Sequence, residues 1–112
     1  MVKYIPDRGD IVWIDFNPQS GRKIMKTRPA LVVSPKKYNE LAGLALFMPI
    51  TSQIKGYPFE EPIEMDVIKG ALLCDQLRSL DWQTRKARLA GQLPSEIINR
   101  ALEKLKLLLL CD

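Results

Sequence analysis

KTRPALVVSP, residues 26–35, sets a permanent cation directly ahead of an apolar run closed by prolines. Ala30, Leu31, Val32 and Val33 follow one another without a polar break. A short continuous run between turn-forming residues is the pattern of a strand buried in a core. Arg28 then lies on the rim from which that strand enters the interior. A cation in that position meets either solvent or an anion.

Upstream, DIVWIDF (10–16) is rich in β-branched and aromatic residues and follows the turn signal PDRG, so it predicts a first strand. Between the two strands, QSGRKIMKT has no useful period and reads as a basic loop of the irregular kind that often carries function. Downstream, SPKKYNELAG predicts a short helix with Ser34 as cap, Pro35 in its first position and Gly43 at its end. LALFMPI (44–50) is a second fully apolar strand, followed by TSQIKGYP with a turn at Gly56-Tyr57-Pro58. A weaker strand spans Phe59 to Ile63, GALLCDQ (70–76) is a further short apolar run, and QTRKARLAG (83–91) suits an edge strand whose charges discourage wrong pairing. PSEIINRALEKLKLLLL is the one long helix, with Ser95 as cap and Ile97, Ile98, Ala101, Leu102, Leu105, Leu108 and Leu109 at helical spacing. Many short strands and one terminal helix give a mainly β, barrel-like α+β domain with appended helices.

The 112 residues suffice for one domain with one core, and 46% hydrophobic with 27% charged residues is the composition of a folded globular chain. The net charge of +4 favours an anionic partner, and its distribution sharpens the point. Arg22, Lys23, Lys26, Arg28, Lys36 and Lys37 occur with no acid among them, whereas Glu60, Glu61, Glu64 and Asp66 gather downstream. Such a basic face either binds a polyphosphate chain or is simply solvated. Cys74 and Cys111 are too few and too far apart for a zinc motif or a disulfide scaffold, so free thiols in a reducing cytoplasm are expected. No apolar run is long enough to span a bilayer. Histidine is absent, which removes imidazole acid–base chemistry, the serine–histidine triad and histidine metal sites.

Two strand ends are therefore the candidates for chemistry: Arg28, opening one apolar strand in TRP, and Thr51, closing another in PITSQ. If the anion is a phosphodiester, the planar guanidinium suits the equatorial oxygens of a phosphorane-like transition state, and a threonine hydroxyl adds a neutral hydrogen bond. The plainer reading is a surface arginine and a turn-forming threonine.

The successive segments PDRGDIVWIDFNPQSG, RPALVVSP, YN, PITSQIKGYPFE and CDQLRSLDW resemble, in order, the signatures of the MazF/PemK-type toxins, endoribonucleases of type II toxin–antitoxin systems. The resemblance runs from about residue 4 to residue 88 and implies one toxin domain over residues 1–112, an SH3-like β-barrel with a C-terminal helix. It also implies a cytoplasmic homodimer that cuts single-stranded mRNA without a metal or other cofactor, leaving 2′,3′-cyclic phosphate and 5′-hydroxyl ends, and that a cognate antitoxin restrains. Carried over by position, it assigns catalysis to Arg28 and Thr51 and catalysis or substrate binding to Asp75, beside Gln76. Lys23, Thr27 and Leu73 stand where some members have glutamate, histidine and arginine, which leaves the proton acceptor open between a perturbed Arg28 and Asp75. RNA contacts are expected from Lys23, Lys55 and Arg85 on the backbone, and from Gln53, Tyr57, Gln76 and Arg78 on base edges or by stacking. Trp13 reads as a core residue, Trp82 as stacking or half-buried, and Cys74 as a packed thiol. The rival class is a non-catalytic SH3-like binding module, including relatives that poison gyrase by binding, because fold alone does not fix function.

Overall fold

The computed structural model describes residues 3–16, 27–66 and 68–111. The basic segment that carries Arg22, Lys23 and Lys26 lies outside the described residues. Among the described residues, seven strands and two helices follow in the order β1 (Asp10–Asp15), β2 (Thr27–Val32), α1 (Lys36–Ala42), β3 (Leu44–Thr51), β4 (Glu60–Glu64), β5 (Lys69–Leu73), β6 (Arg78–Asp81), β7 (Arg88–Gln92) and α2 (Ser95–Leu110). The sheet runs β4-β5-β3-β2-β1-β7, with β6 also paired to β3, and every pairing is antiparallel. β3 is shared: Leu44–Phe47 pair with β6, Phe47–Pro49 with β2, and Ile50–Thr51 with β5. The basic segment 83–91 does reach the sheet edge as β7, after a turn over 82–86.

Two apolar clusters explain why the central strands are continuous runs rather than alternating ones. Ile11, Leu31, Met48 and Ile50 fall in one cluster, and Val12, Ile14, Ala30, Val32 and Phe47 in the other. Strands that cover a core on both faces have no polar side to show. Helix α2 closes the first cluster with Ala101, fully buried, and with Ile97, Ile98, Leu102 and Leu105 packed against it. Trp82 belongs to the second cluster at 5% exposure, and its indole N–H donates to the Asn39 carbonyl at 3.0 Å, so it is a core residue. No helix among the described residues is long and apolar enough to cross a membrane.

Three expectations change. Neither serine caps a helix by its side chain: Pro35 and Pro94 occupy the cap positions, and the Ser34 hydroxyl donates instead to Oδ1 of the buried Asn39. The Asn39 amide then donates to the Pro6 and Ser34 carbonyls, so this buried amide is satisfied and ties α1 to both segments. Gly43 ends α1 as expected, in the left-handed conformation at φ 72°. The acidic gathering is only partly a surface feature. Glu60 and Glu61 are 6% and 5% exposed, and the Glu61 carboxylate takes Arg100 at 2.9 Å and Lys104 at 3.0 Å from α2.

Candidate nucleic-acid site

β2 and β3 run antiparallel with Ala30 opposite Pro49. Two residues beyond that pair on each strand, Arg28 and Thr51 line one open cavity of about 450 Å³. Trp13, Gln53 and Lys69 complete its walls. Arg28 is exposed, and no acid among the described residues pairs with its guanidinium. The same open cavity is lined by a second cation, Lys69. Lys69 reaches Glu64 at 3.7 Å with both side chains largely exposed, a contact that water screens.

A second cavity, of about 470 Å³, shares Thr51 and Gln53 with the first and extends to Lys55, Tyr57, Glu60, Asp75 and Gln76. Thr51 sits where β3 leaves β2 for β5: it pairs with Ala71, four residues before Asp75. The Thr51 hydroxyl oxygen accepts the Gln53 N–H at 3.1 Å, so it forms the local turn and still has a proton to donate. The turn-forming reading of that threonine therefore holds.

Around Asp75 the polar groups are ordered. The Tyr57 hydroxyl donates to Oδ2 at 2.8 Å, while Oδ1 is buried and has no partner among the described residues. The hydrogen bond to Asp75 and the carboxylate's charge push the phenol above its ordinary value, so Tyr57 stays protonated and remains a donor. Glu60, on the same wall, accepts the backbone N–H groups of Lys55 at 3.2 Å, Gly56 at 3.0 Å and Tyr57 at 3.3 Å. Gly56 makes this convergence possible at φ 80°, a conformation in which a side chain is strained.

Of the residues singled out from the sequence, Arg28, Thr51 and Gln53 share the first cavity, and Thr51, Gln53, Lys55, Tyr57, Asp75 and Gln76 share the second. Lys23 lies outside the described residues. Arg78 and Arg85 line neither cavity. The Arg78 guanidinium stands 5.3 Å from the centre of the Phe16 ring, and Arg85 donates to the Phe16 and Asp15 carbonyls at 2.7 and 3.2 Å. The turn over 82–86 aims Arg85 back at the end of β1, away from the two cavities. Trp13 packs on the core and also walls the Arg28 cavity, a double role its apolar setting did not disclose. Glu60 and Lys69 are additions; the only signal for Glu60 was a carboxylate following a Gly-Tyr-Pro turn. Cys74 is fully buried, and burial pushes its thiol up to about 11, which makes it a packed thiol. Among the described residues no three acidic or cysteine side chains gather closely enough to hold a metal ion.

The sequence profile of the PemK-like, MazF-like toxins of type II toxin–antitoxin systems matches residues 7–109. The chain is 38% identical over 107 residues to the endoribonuclease toxin MazF of Escherichia coli K12, covering 96% of each. It is 34% identical over 106 residues to the endoribonuclease toxin ChpB of the same organism, covering 89% of this chain and 90% of that one. Among solved structures, a MazE–MazF complex from Deinococcus radiodurans superimposes with a TM-score of 0.89 at 40% identity, covering 98% of this chain and all of that one. With a sequence profile spanning nearly its whole length and a barrel that superimposes on a solved member, this chain belongs to the PemK-like, MazF-like toxins of type II toxin–antitoxin systems.

Proposed function

We infer that the chain is the toxin of such a pair, a single domain that acts as a homodimer in the cytoplasm and cuts single-stranded mRNA at a preferred sequence. The observation that carries this reading is a guanidinium with no acidic partner among the described residues and a threonine hydroxyl on one open cavity, with a carboxylate on the adjoining cavity. That is the equipment for transesterification within RNA. The ribose 2′-oxygen gives up its proton and attacks the adjacent phosphorus as the bond to the 5′-oxygen breaks, and the departing 5′-oxygen takes a proton from solvent water, giving a 2′,3′-cyclic phosphate and a 5′-hydroxyl. Negative charge grows on the equatorial oxygens in the transition state. Arg28 meets it with two donors and a charge present at every physiological pH, and Thr51 adds a third donor. Asp75 is the acceptor for the 2′-hydroxyl proton, since free arginine, with a pKa of roughly 12 or more, is a weak base at neutral pH. Lys55, Gln53 and Gln76 bind the flanking nucleotides. A cognate antitoxin carrying an acidic segment competes for the same cationic cavity by charge complementarity; the Deinococcus relative is itself solved as a MazE–MazF complex.

The test is cleavage of RNA in EDTA by the wild type and by Arg28→Ala. Removing a charge-stabilising donor costs about 10²–10³ in rate. Undiminished cutting by the variant overturns the role of Arg28. An oligonucleotide with one 2′-deoxy sugar at the cleavage point resists; if it is cut, the cyclic-phosphate route is wrong.

A further inference from the structure

We propose that Glu60 is a positioning residue of this site, acting through Tyr57 to fix the orientation of Asp75. The inference rests on the RNA-cutting role just described and adds a residue to it.

Glu60 is a buried carboxylate with an unusual partner set. Among the described residues no cation pairs with its side chain, and its charge is met by three successive backbone N–H groups of residues 55, 56 and 57. Successive amides turned to one point form an anion-binding nest. In a nucleic-acid site such a nest would ordinarily hold a phosphate, and here the protein fills it with its own anion. The consequence falls on Tyr57. Its N–H is held by Glu60, its carbonyl accepts the Glu60 N–H at 3.0 Å, and its hydroxyl ends 2.8 Å from Asp75 Oδ2. Backbone pairing closes the loop, because Phe59 accepts the N–H of Cys74, the residue before Asp75, at 3.0 Å. From the other side, Lys104 of α2 grips the Glu60 carbonyl at 2.7 Å.

This arrangement accounts for the buried, unpartnered Oδ1 of Asp75. A buried acceptor without a donor is costly and calls for an explanation. The Tyr57 hydroxyl fixes the carboxylate with Oδ1 turned inward and Oδ2 at the phenol, where Oδ2 keeps a further lone pair for a hydroxyl proton. Without Glu60 the 55–57 segment loses its anchor, the phenol drifts and Asp75 can turn its carboxylate elsewhere.

The test is steady-state cleavage of a synthetic oligoribonucleotide bearing the mapped cleavage sequence, with Glu60→Gln, Tyr57→Phe, Asp75→Asn and their pairwise combinations. Glu60→Gln and Tyr57→Phe are each expected to lower kcat about tenfold with KM within about twofold, since positioning errors act on the reacting geometry. In the Asp75→Asn background neither lowers it further, and amide exchange at residues 55–57 rises in Glu60→Gln alone. A Glu60→Gln variant with unchanged kcat, or with a loss that multiplies the loss from Asp75→Asn, overturns the proposal. Should Glu60→Gln not fold, Tyr57→Phe at an exposed side chain decides by the same cycle with Asp75→Asn. Arg28→Ala in the same assay separates the two readings: a wild type that cuts no RNA sinks the enzyme, whereas a cutting wild type with an impaired Arg28→Ala and unaffected Glu60→Gln and Tyr57→Phe variants sinks only the positioning role.

Discussion

Gly70→Ala is the substitution whose effect follows most directly from the geometry. A methyl added at Gly70, in β5, would sit 2.0 Å from the Thr51 carbonyl oxygen and 2.9 Å from its carbonyl carbon. Real contacts of this kind essentially never fall below 3.0 Å, so the end of β3 must retreat by about 1 Å. The obstacle is backbone, which cannot swing aside as a flexible side chain would. Overpacking of this sort costs about 1–3 kcal/mol. For a domain of this size, at roughly 4 °C per kcal/mol, the melting temperature should fall by about 4–12 °C. The larger effect is on function, because the displaced residue carries the hydroxyl beside Arg28, and a misplacement of about 1 Å can cost about 100-fold in rate. Gly43→Ala is the control: its methyl meets nothing within 4 Å, and the left-handed backbone costs about 1–2 kcal/mol without touching the site. The assay pairs thermal unfolding by circular dichroism with the initial rate of RNA cleavage at a temperature where both variants are folded. Gly70→Ala with a rate within about twofold of wild type would refute the claim that Thr51 must hold its place.

Glu61 should show itself in the acid limb of stability. Burial raises its carboxyl, but hydrogen bonds from Arg100 and Lys104, with their charges, outweigh that and leave it below the ordinary value. A group lowered on folding stabilises above its unfolded pKa and loses that contribution as pH falls through the folded one. Glu61→Gln is therefore expected to lose about 1–3 kcal/mol near neutrality and to flatten the acid fall-off, as read by melting temperature against pH; an unchanged acid limb contradicts the pairing. The two thiols should differ in reactivity, because Cys74 is buried with its thiol at about 11 and Cys111 is exposed. Ellman's reagent at mild alkaline pH should titrate Cys111 rapidly and Cys74 only on unfolding; equal fast reaction of both would show the core to be open.

How much of this was legible in the sequence depended on which force shaped each element. β1, β2 and β3 announce themselves because burial on both faces leaves an unbroken apolar run. β2 nevertheless begins at Thr27, earlier than the apolar residues suggest, since Thr27, Arg28 and Pro29 are held by pairing with Asp15, Ile14 and Trp13 rather than by their own hydrophobicity. β6 was not legible: Arg78–Asp81 is four residues with only Leu80 buried, and it is a strand because Leu44–Phe47, more than thirty positions away, offer an edge. The caps failed for a local reason, as each serine stands next to a proline that already supplies the extended backbone of the cap. In the site, Arg28 and Thr51 could be singled out as the ends of two apolar strands, and both line one cavity. The carboxylate of Glu60 could not, because its partners are backbone amides, which every residue owns and no sequence pattern marks.

The sharing of β3 among β2, β5 and β6 leaves the molecule without a seam. Any separation that peels one half of the barrel from the other must break ladder bonds to a segment that both halves depend on, so partial opening gains little chain freedom for what it breaks. Loss of order should spread through the sheet as a single event, with Thr51 among the positions that report it.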